Sequence, residues 1–305
     1  MCQILALTAN APTDISFSFE GFVNRAGITD TNVDGTGIAF FECNNSVRIL
    51  KDDKAAYNSY VRNLVRIYQI KSKNIIAHIR RASQGKPKLE NCHPFVRELW
   101  GQNWVFCHNG HLESFPNLDP LLKTKVVGDT DSELFFTHLI DQLQHKFDQK
   151  PDANTLFLTV CDIADNYASA GILNFVLSNG EYMIAHCSTN LYWITRSAKE
   201  DHLVKRIDDG GVINLSCYAK EDDVVTIICT MPVTDEKWNK MSNGQTLLFK
   251  NGNLKLSYNG TPSVINKKFE QLTGLSTMVQ KQIDKEQAVY RTQAAIAAQV
   301  QVDQD

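Results

Sequence analysis

A cysteine stands second in the chain, and removal of Met1, which a small second residue permits, would place a thiol and a free α-amine on one residue. An α-amine titrates near about 7.7–8.0, so part of it is neutral around pH 7 and can accept the thiol proton. Nucleophile and base then share Cys2. The run Cys2-Gln-Ile-Leu-Ala-Leu also reads as a strand opening on a buried thiol, the ordinary use of a free cysteine. Three downstream segments bear on the choice. His78-Ile79-Arg80-Arg81-Ala82-Ser83-Gln84-Gly85 follows a strand-like run, and its Arg80 and Ser83 suit a clamp that holds a carboxylate by a guanidinium fork and a hydroxyl. In Cys107-His108-Asn109-Gly110, the last two residues read locally as a tight turn. Functionally, the Asn109 amide and the Gly110 N–H can face one oxygen, as an oxyanion hole requires. Gly128–Glu133 carries a capping box, Thr130 with Glu133, and places Asp131 where a helix's first turn could receive an ammonium. Nucleophile, oxyanion donors, carboxylate clamp and ammonium acceptor together fit an α-amino acid attacked at its side-chain amide, with glutamine the natural candidate.

These residues must be positioned by strands and a few helices. Apolar runs bounded by Gly, Asn, Asp and Pro predict strands at 3–9, 37–41, 74–79, 104–107, 172–177, 182–185, 192–195, 223–230 and 246–249. Asn179-Gly180 and Asn251-Gly252 signal hairpins. Apolar residues at three- and four-residue spacing predict helices at 55–66, 130–146 and 153–168. Many hairpins with few long helices point to antiparallel sheets covered by helices, an α+β architecture.

Composition narrows the function classes. The 305 residues are 43% hydrophobic and 21% charged, ample for a buried core, and 31 basic against 34 acidic side chains leave a net charge of −3. That charge argues against a strongly cationic nucleic-acid binder. The longest apolar stretches, near 224–229, fall far short of the roughly 18 residues of a membrane helix, and no signal-peptide pattern opens the chain. The chain reads as soluble and cytoplasmic, with no membrane or nucleic-acid partner. The eight cysteines form no Cys-x-x-Cys pair. His93, His108 and His111 lie near Cys92 and Cys107, but their spacing matches no common zinc pattern, so neither metal nor cofactor is expected. Residues 266–305 hold eight Gln, five Ala and one Gly with balanced charges. Ile283, Gln287 and Tyr290 fall on one helical face with a thin apolar stripe, which suits a surface or frayed tail, with a dimerisation helix, and hence a homodimer, as the alternative.

The motifs resemble those of class II glutamine amidotransferases, which are N-terminal-nucleophile hydrolases, and most of all the stand-alone branch that is little more than the glutaminase domain. The matching residues are Met1-Cys2, Gly21-Phe22 with Arg25 and Gly27, Asp34-Gly35 with Gly37-Ile38-Ala39, and Lys71–Asn74. They continue through Ala77–Arg80, Glu90-Asn91, His93–Gly101, His108–Gly110, Gly128–Glu133, Ala185–Leu191 and Asp222–Thr226. The resemblance covers residues 1–258 and leaves 259–305 as a C-terminal extension, helical or partly disordered.

It implies a four-layer αββα sandwich with the nucleophile at the start of a central strand, and a short helical tail. It implies that Cys2 attacks, Asn109 and Gly110 hold the oxyanion, Arg80 and Ser83 bind the substrate carboxylate, Asp131 binds its α-amine, and Arg25 orders a loop over the nucleophile. A thioester intermediate on Cys2 follows, with glutamine as substrate and a separate ammonia-acceptor enzyme as partner. Stand-alone relatives also act on γ-glutamyl compounds, including glutathione-like peptides, sometimes with a peptidase subunit, so a γ-glutamyl hydrolase is the alternative. A non-enzymatic regulatory protein on the same fold is a third reading, which a retained Met1 would favour. Two departures concern the far side of the scissile bond. The stand-alone branch has His and Trp where this chain has Asn32 and Thr36, and the synthase branch has Trp and His where it has Arg81 and Gln84. Loss of an aromatic at Thr36 would leave more room past the amide nitrogen.

Overall fold

The computed structural model describes residues 2–42, 45–82, 85–115, 125–197, 203–217 and 219–263. In chain order the elements begin with β1 (Gln3–Asp14), α1 (Ser16–Val23), β2 (Thr36–Phe41), β3 (Val47–Asp52), α2 (Tyr60–Tyr68) and β4 (Lys71–Ile79). They continue with β5 (Phe95–Leu99), β6 (Gln102–Leu112), α3 (Asp131–Lys146), α4 (Ala153–Asn166), β7 (Gly171–Ser178) and β8 (Met183–Cys187). The last are β9 (Tyr192–Ser197), β10 (Leu203–Lys205), β11 (Val212–Asn214), β12 (Val224–Cys229), β13 (Asn239–Lys240), β14 (Gln245–Lys250) and β15 (Asn253–Asn259).

Two antiparallel sheets carry the fold. One has seven strands in the order β13-β9-β12-β1-β4-β2-β3, and the other six in the order β15-β14-β8-β7-β6-β5. β10 and β11 form a separate ribbon. Successive side chains on a strand face opposite ways, so the continuous apolar run of β1 feeds two cores. Ile4 and Ala6 pack with Ile76, Val105 and Val176 between the sheets, while Leu5 and Leu7 pack with Phe19, Phe22, Val61 and Val65 beneath α1 and α2. On the far side, Phe106 and Phe175 meet Phe135, Phe136 and Leu139 of α3. Helices, sheet, sheet and helices make four layers, as expected. The predicted helical tail lies outside the described residues.

The strand readings hold with shifted ends, and two hairpin signals stand where they were read. Gly180 sits at φ +83° between β7 and β8, and Asn251 and Gly252, at φ +51° and +71°, join β14 to β15. The helix read at 55–66 starts later. Ser59 caps α2 by accepting from Val61 N–H at 3.1 Å, and its own hydroxyl donates to Asp52. At α3 the Thr130 hydroxyl accepts from Glu133 N–H at 3.2 Å, but the Glu133 carboxylate does not close a capping box. It accepts from Val127 and Gly128 N–H and pairs with Arg97 of β5 at 2.5 Å. The helix start is thereby tied to the six-stranded sheet. The Asn109-Gly110 pair is not a turn at all. It lies within β6, Asn109 opposite Asn174 and Gly110 opposite Leu173.

Candidate active site

Cys2 immediately precedes the central strand β1, and its thiol lies against the peptide of Arg81, just past the end of β4. Arg81 N–H donates to Cys2 Sγ, and the thiol faces the Arg81 carbonyl, both at 3.2 Å. β1 and β4 are ladder neighbours with Gln3 opposite Ile79, so the strand ends bring Cys2 to Arg80-Arg81 without a loop having to reach. The half-buried Cys2 has its thiol pushed above the usual range by desolvation, which outweighs the Arg81 peptide and the Arg80 charge that act the other way. Such a thiol needs a base to become a nucleophile.

The cleft over Cys2 is lined by Arg80, Arg81, His93, His108, Gly110, Asp131 and their neighbours. Arg80 is buried, and its guanidinium donates to the carbonyls of Lys86 at 3.2 Å and Gly85 at 3.1 Å. The loop that carries it is braced by Asp34-Gly35: Arg80 N–H donates to the Gly35 carbonyl at 2.8 Å, and the Asp34 carboxylate accepts from Ala82 N–H at 2.8 Å. Ser83 and Gln84 lie outside the described residues. Asp131, the first residue of α3, accepts from Leu112 N–H at 2.8 Å, which fixes its carboxylate at the end of β6 and at the positive end of the helix.

Gly110 and Asn109 come from the last third of β6. A side-chain carbon at Gly110 would overlap the Ile172 carbonyl, so only glycine allows β6 and β7 this approach. The Asn109 amide nitrogen donates to Thr230 Oγ1 at 3.2 Å, and the Asn109 carbonyl accepts from Asn174 at 2.9 Å. Asn174 in turn accepts from Ser188 and Thr189 N–H, binding β7 to the turn after β8. Cys2, Arg80, Asp131 and Gly110 thus line one cleft, and Asn109 adjoins it from the strand floor.

Two histidines, His93 and His108, line the cleft, and His78 lies behind them. His108 Nε2 donates to the Ile172 carbonyl at 3.0 Å, which leaves Nδ1 to accept from the Ser132 hydroxyl at 2.9 Å. His78 Nε2 donates to the His108 carbonyl at 3.1 Å, and the His93 ring lies tilted against His78 with centroids 4.1 Å apart. Burial lowers all three, His78 to about 3 and His93 well below its usual value, so each is neutral near pH 7. Sequence reasoning singled out none of them for the site, although all three sit inside matching motifs. Cys92 and Cys107 do not join them: Cys107 packs between the sheets, and Cys92 faces the carbonyls of Asp52 and Lys88.

Two residues expected near the site do not line the cleft. Arg25 is buried, pairs with Asp208 at 2.8 Å and donates to the carbonyls of Met231 and Pro232, which braces the segment just past β12. Thr36 is equally buried, its hydroxyl donating to the His78 carbonyl at 3.1 Å, and it does not line the cleft. Among the described residues Arg81 lines the cleft and Thr36 does not. No helix among the described residues is long and apolar enough to cross a membrane.

Known proteins resemble the chain over most of its length. Residues 1–273 match the family of class-II glutamine amidotransferases. A Haemophilus influenzae protein provisionally named a glutamine amidotransferase is 50% identical over 264 residues, covering 86% of this chain and 88% of its own. A protein of Escherichia coli K12 with the same provisional name is 42% identical over 82% of this chain and 97% of its own. The crystal structure of a predicted glutamine amidotransferase from Pseudomonas aeruginosa superposes with a TM-score of 0.65 at 31% identity, covering 84% of this chain and all of that one. A strand-borne Cys2 at a cleft between two helix-covered sheets and a family match over most of the chain lead to one assignment: the chain belongs to the class II glutamine amidotransferases.

Proposed function

We propose that the protein hydrolyses the γ-carboxamide of glutamine through the Cys2 thiol once Met1 has been removed, with residues 1–258 as the catalytic domain and 259–305 outside the chemistry. The observation that carries this reading is the Arg81 peptide against Cys2 Sγ, which sets the thiol beside the Arg80 clamp and across from Asp131. The freed α-amine takes the thiol proton, and the thiolate attacks the amide carbon. Asn109 Nδ2 and Gly110 N–H stabilise the oxyanion, whose collapse expels ammonia after protonation by the α-ammonium. A γ-glutamyl thioester remains. Water adds to it, the S–C bond breaks, and glutamate leaves with the thiol restored. Arg80 and Ser83 hold the α-carboxylate and Asp131 the α-ammonium. No step calls for a metal or cofactor, and a separate polypeptide receives the ammonia.

Peptide mapping after exposure to a glutamine-like diazo-ketone, together with glutamate release from glutamine, asparagine and γ-glutamyl peptides, tests the proposal. A chain beginning at Cys2, labelled there and releasing glutamate, is expected. An active protein that keeps Met1, or labelling confined to other cysteines, overturns it.

Arg81 favours a second reading, a γ-glutamyl hydrolase with a larger leaving group. Its side chain is exposed at the rim and makes no hydrogen bond or ion pair among the described residues. Ammonia carries no negative charge for a guanidinium to read, whereas a γ-glutamyl amino acid carries a carboxylate past the amide nitrogen. This reading expects γ-glutamylglycine to be hydrolysed faster than its C-terminal amide, and Arg81→Gln to erase that preference. Equal rates on the two substrates in the parent protein leave glutamine alone.

A further inference from the structure

Thr230 lies just past β12, buried, and no motif singled it out. Its N–H donates to the Ile4 carbonyl at 3.1 Å, and its Oγ1 accepts from Ile4 N–H at 3.0 Å. The same oxygen accepts from Asn109 Nδ2 at 3.2 Å. Thr230 therefore touches both the strand that presents Cys2, two residues before Ile4, and the amide that adjoins the cleft from the other sheet.

An asparagine side chain has a broad final torsion, so something must hold its amide plane. Among the described residues the Asn109 side chain makes this one hydrogen bond, and its buried Oδ1 has no partner. The contact to Asn174 holds the Asn109 backbone and leaves the amide free to turn. An amide nitrogen carries two hydrogens. With one directed at Thr230, the direction of the other is set.

We propose that Thr230 is a positioning residue for the oxyanion donor: its hydroxyl, pinned by Ile4, fixes the Asn109 amide relative to Cys2. The inference rests on the roles given to Cys2 and Asn109 under Proposed function. Oxyanion donors are effective because they need no rearrangement as charge develops, and a donor free to rotate forfeits that advantage. Because the effect arises with the charge, it belongs to the transition state and not to glutamine binding.

Thr230→Val keeps the shape and removes the acceptor, and Thr230→Ser restores it. For Thr230→Val, kcat on glutamine should fall roughly 10- to 100-fold, a fraction of the 10²–10³ ascribed to a whole donor, with KM within about threefold. Alkylation of Cys2 by iodoacetamide displaces iodide at a saturated carbon and forms no oxyanion, so its rate should stay within about twofold. Thr230→Ser should recover most of kcat. A Val variant with parental kcat, a Ser variant as slow as Val, or an alkylation rate that falls along with kcat each overturns the proposal, the last by showing that the thiol has moved. Should Thr230→Val fail to fold, Thr230→Cys, whose sulfur is a weak acceptor, is held to the same criteria. A parent protein that releases no glutamate overturns the function itself and this inference with it, an outcome seen before any Thr230 variant is made.

Discussion

The floor and the rim of the cleft are built differently. Asn109, Gly110 and Asn174 sit inside paired strands and are tied to one another and to Thr230, Ser188 and Thr189 by hydrogen bonds, and Asp131 is fixed at a helix start. Arg81 lies on the loop after β4 with an exposed side chain that makes no hydrogen bond or ion pair among the described residues, although its peptide grips Cys2. Under the proposed function, the floor would read groups that any γ-glutamyl amide shares, and the rim one that only part of that class carries. Chemistry common to a family belongs on rigid ladders, and selection among substrates belongs where a side chain can change without disturbing a sheet.

If the floor is that rigid, breaking one tie should be costly. Glu133 is buried, paired with Arg97 and bonded to two backbone N–H groups, so Glu133→Gln strands the Arg97 charge. A loss of about 3 kcal/mol in stability is expected by urea unfolding, and a change under 1 kcal/mol would show that the helix start is not anchored there. Arg80→Lys and Asp131→Asn should fold normally and raise KM for glutamine by the equivalent of roughly 2–4 kcal/mol, since each removes a charge-assisted contact in a desolvated site. Lysine keeps the charge and loses the planar fork, so it should not rescue Arg80. Unchanged KM in both variants would remove the carboxylate and ammonium assignments.

The buried histidines give the gentlest test. His78, titrating at about 3, and the well-lowered His93 bind no proton in the folded state near pH 6, whereas the unfolded chain protonates them below about 6.5. The unfolded state then holds more protons, so stability should be level above pH 7 and decline as pH falls below 6.5. Each histidine contributes a slope approaching about 1.4 kcal/mol per pH unit, and for His78 the decline continues toward pH 3. Unfolding curves at pH 7.5, 6.5 and 5.5 that superimpose would refute this.

Much of the architecture could be read from local pattern because buried strands and capped helices carry their own signals. α1 could not. Ser18, Phe19, Gly21, Phe22 and Val23 are all buried, so no polar face marks the helical period. β3 is only partly buried, its one fully buried residue being Asp52, and it lacks a long apolar run. Asn109-Gly110 looks like a turn to any local rule and becomes a strand because β7 pairs with it, a contact between residues far apart in the chain. Thr36 misled for a related reason: its motif placed it near the cleft, but a hydrogen bond to the His78 carbonyl accounts for its side chain. Thr230 carried no sequence signal at all, because its meaning comes from meeting Ile4 and Asn109 in space.

The pairing of β1 with β12 also sets an order of events during synthesis. Leu5 meets Cys229, so the strand that follows Cys2 cannot complete its ladder until more than two hundred further residues have left the ribosome. β4, whose Ile79 faces Gln3, can pair with β1 much earlier and bring the Arg81 peptide to Cys2. The tie from Thr230 to Ile4 and Asn109 comes only with β12, so this side of the cleft is finished by the last strand to bind β1.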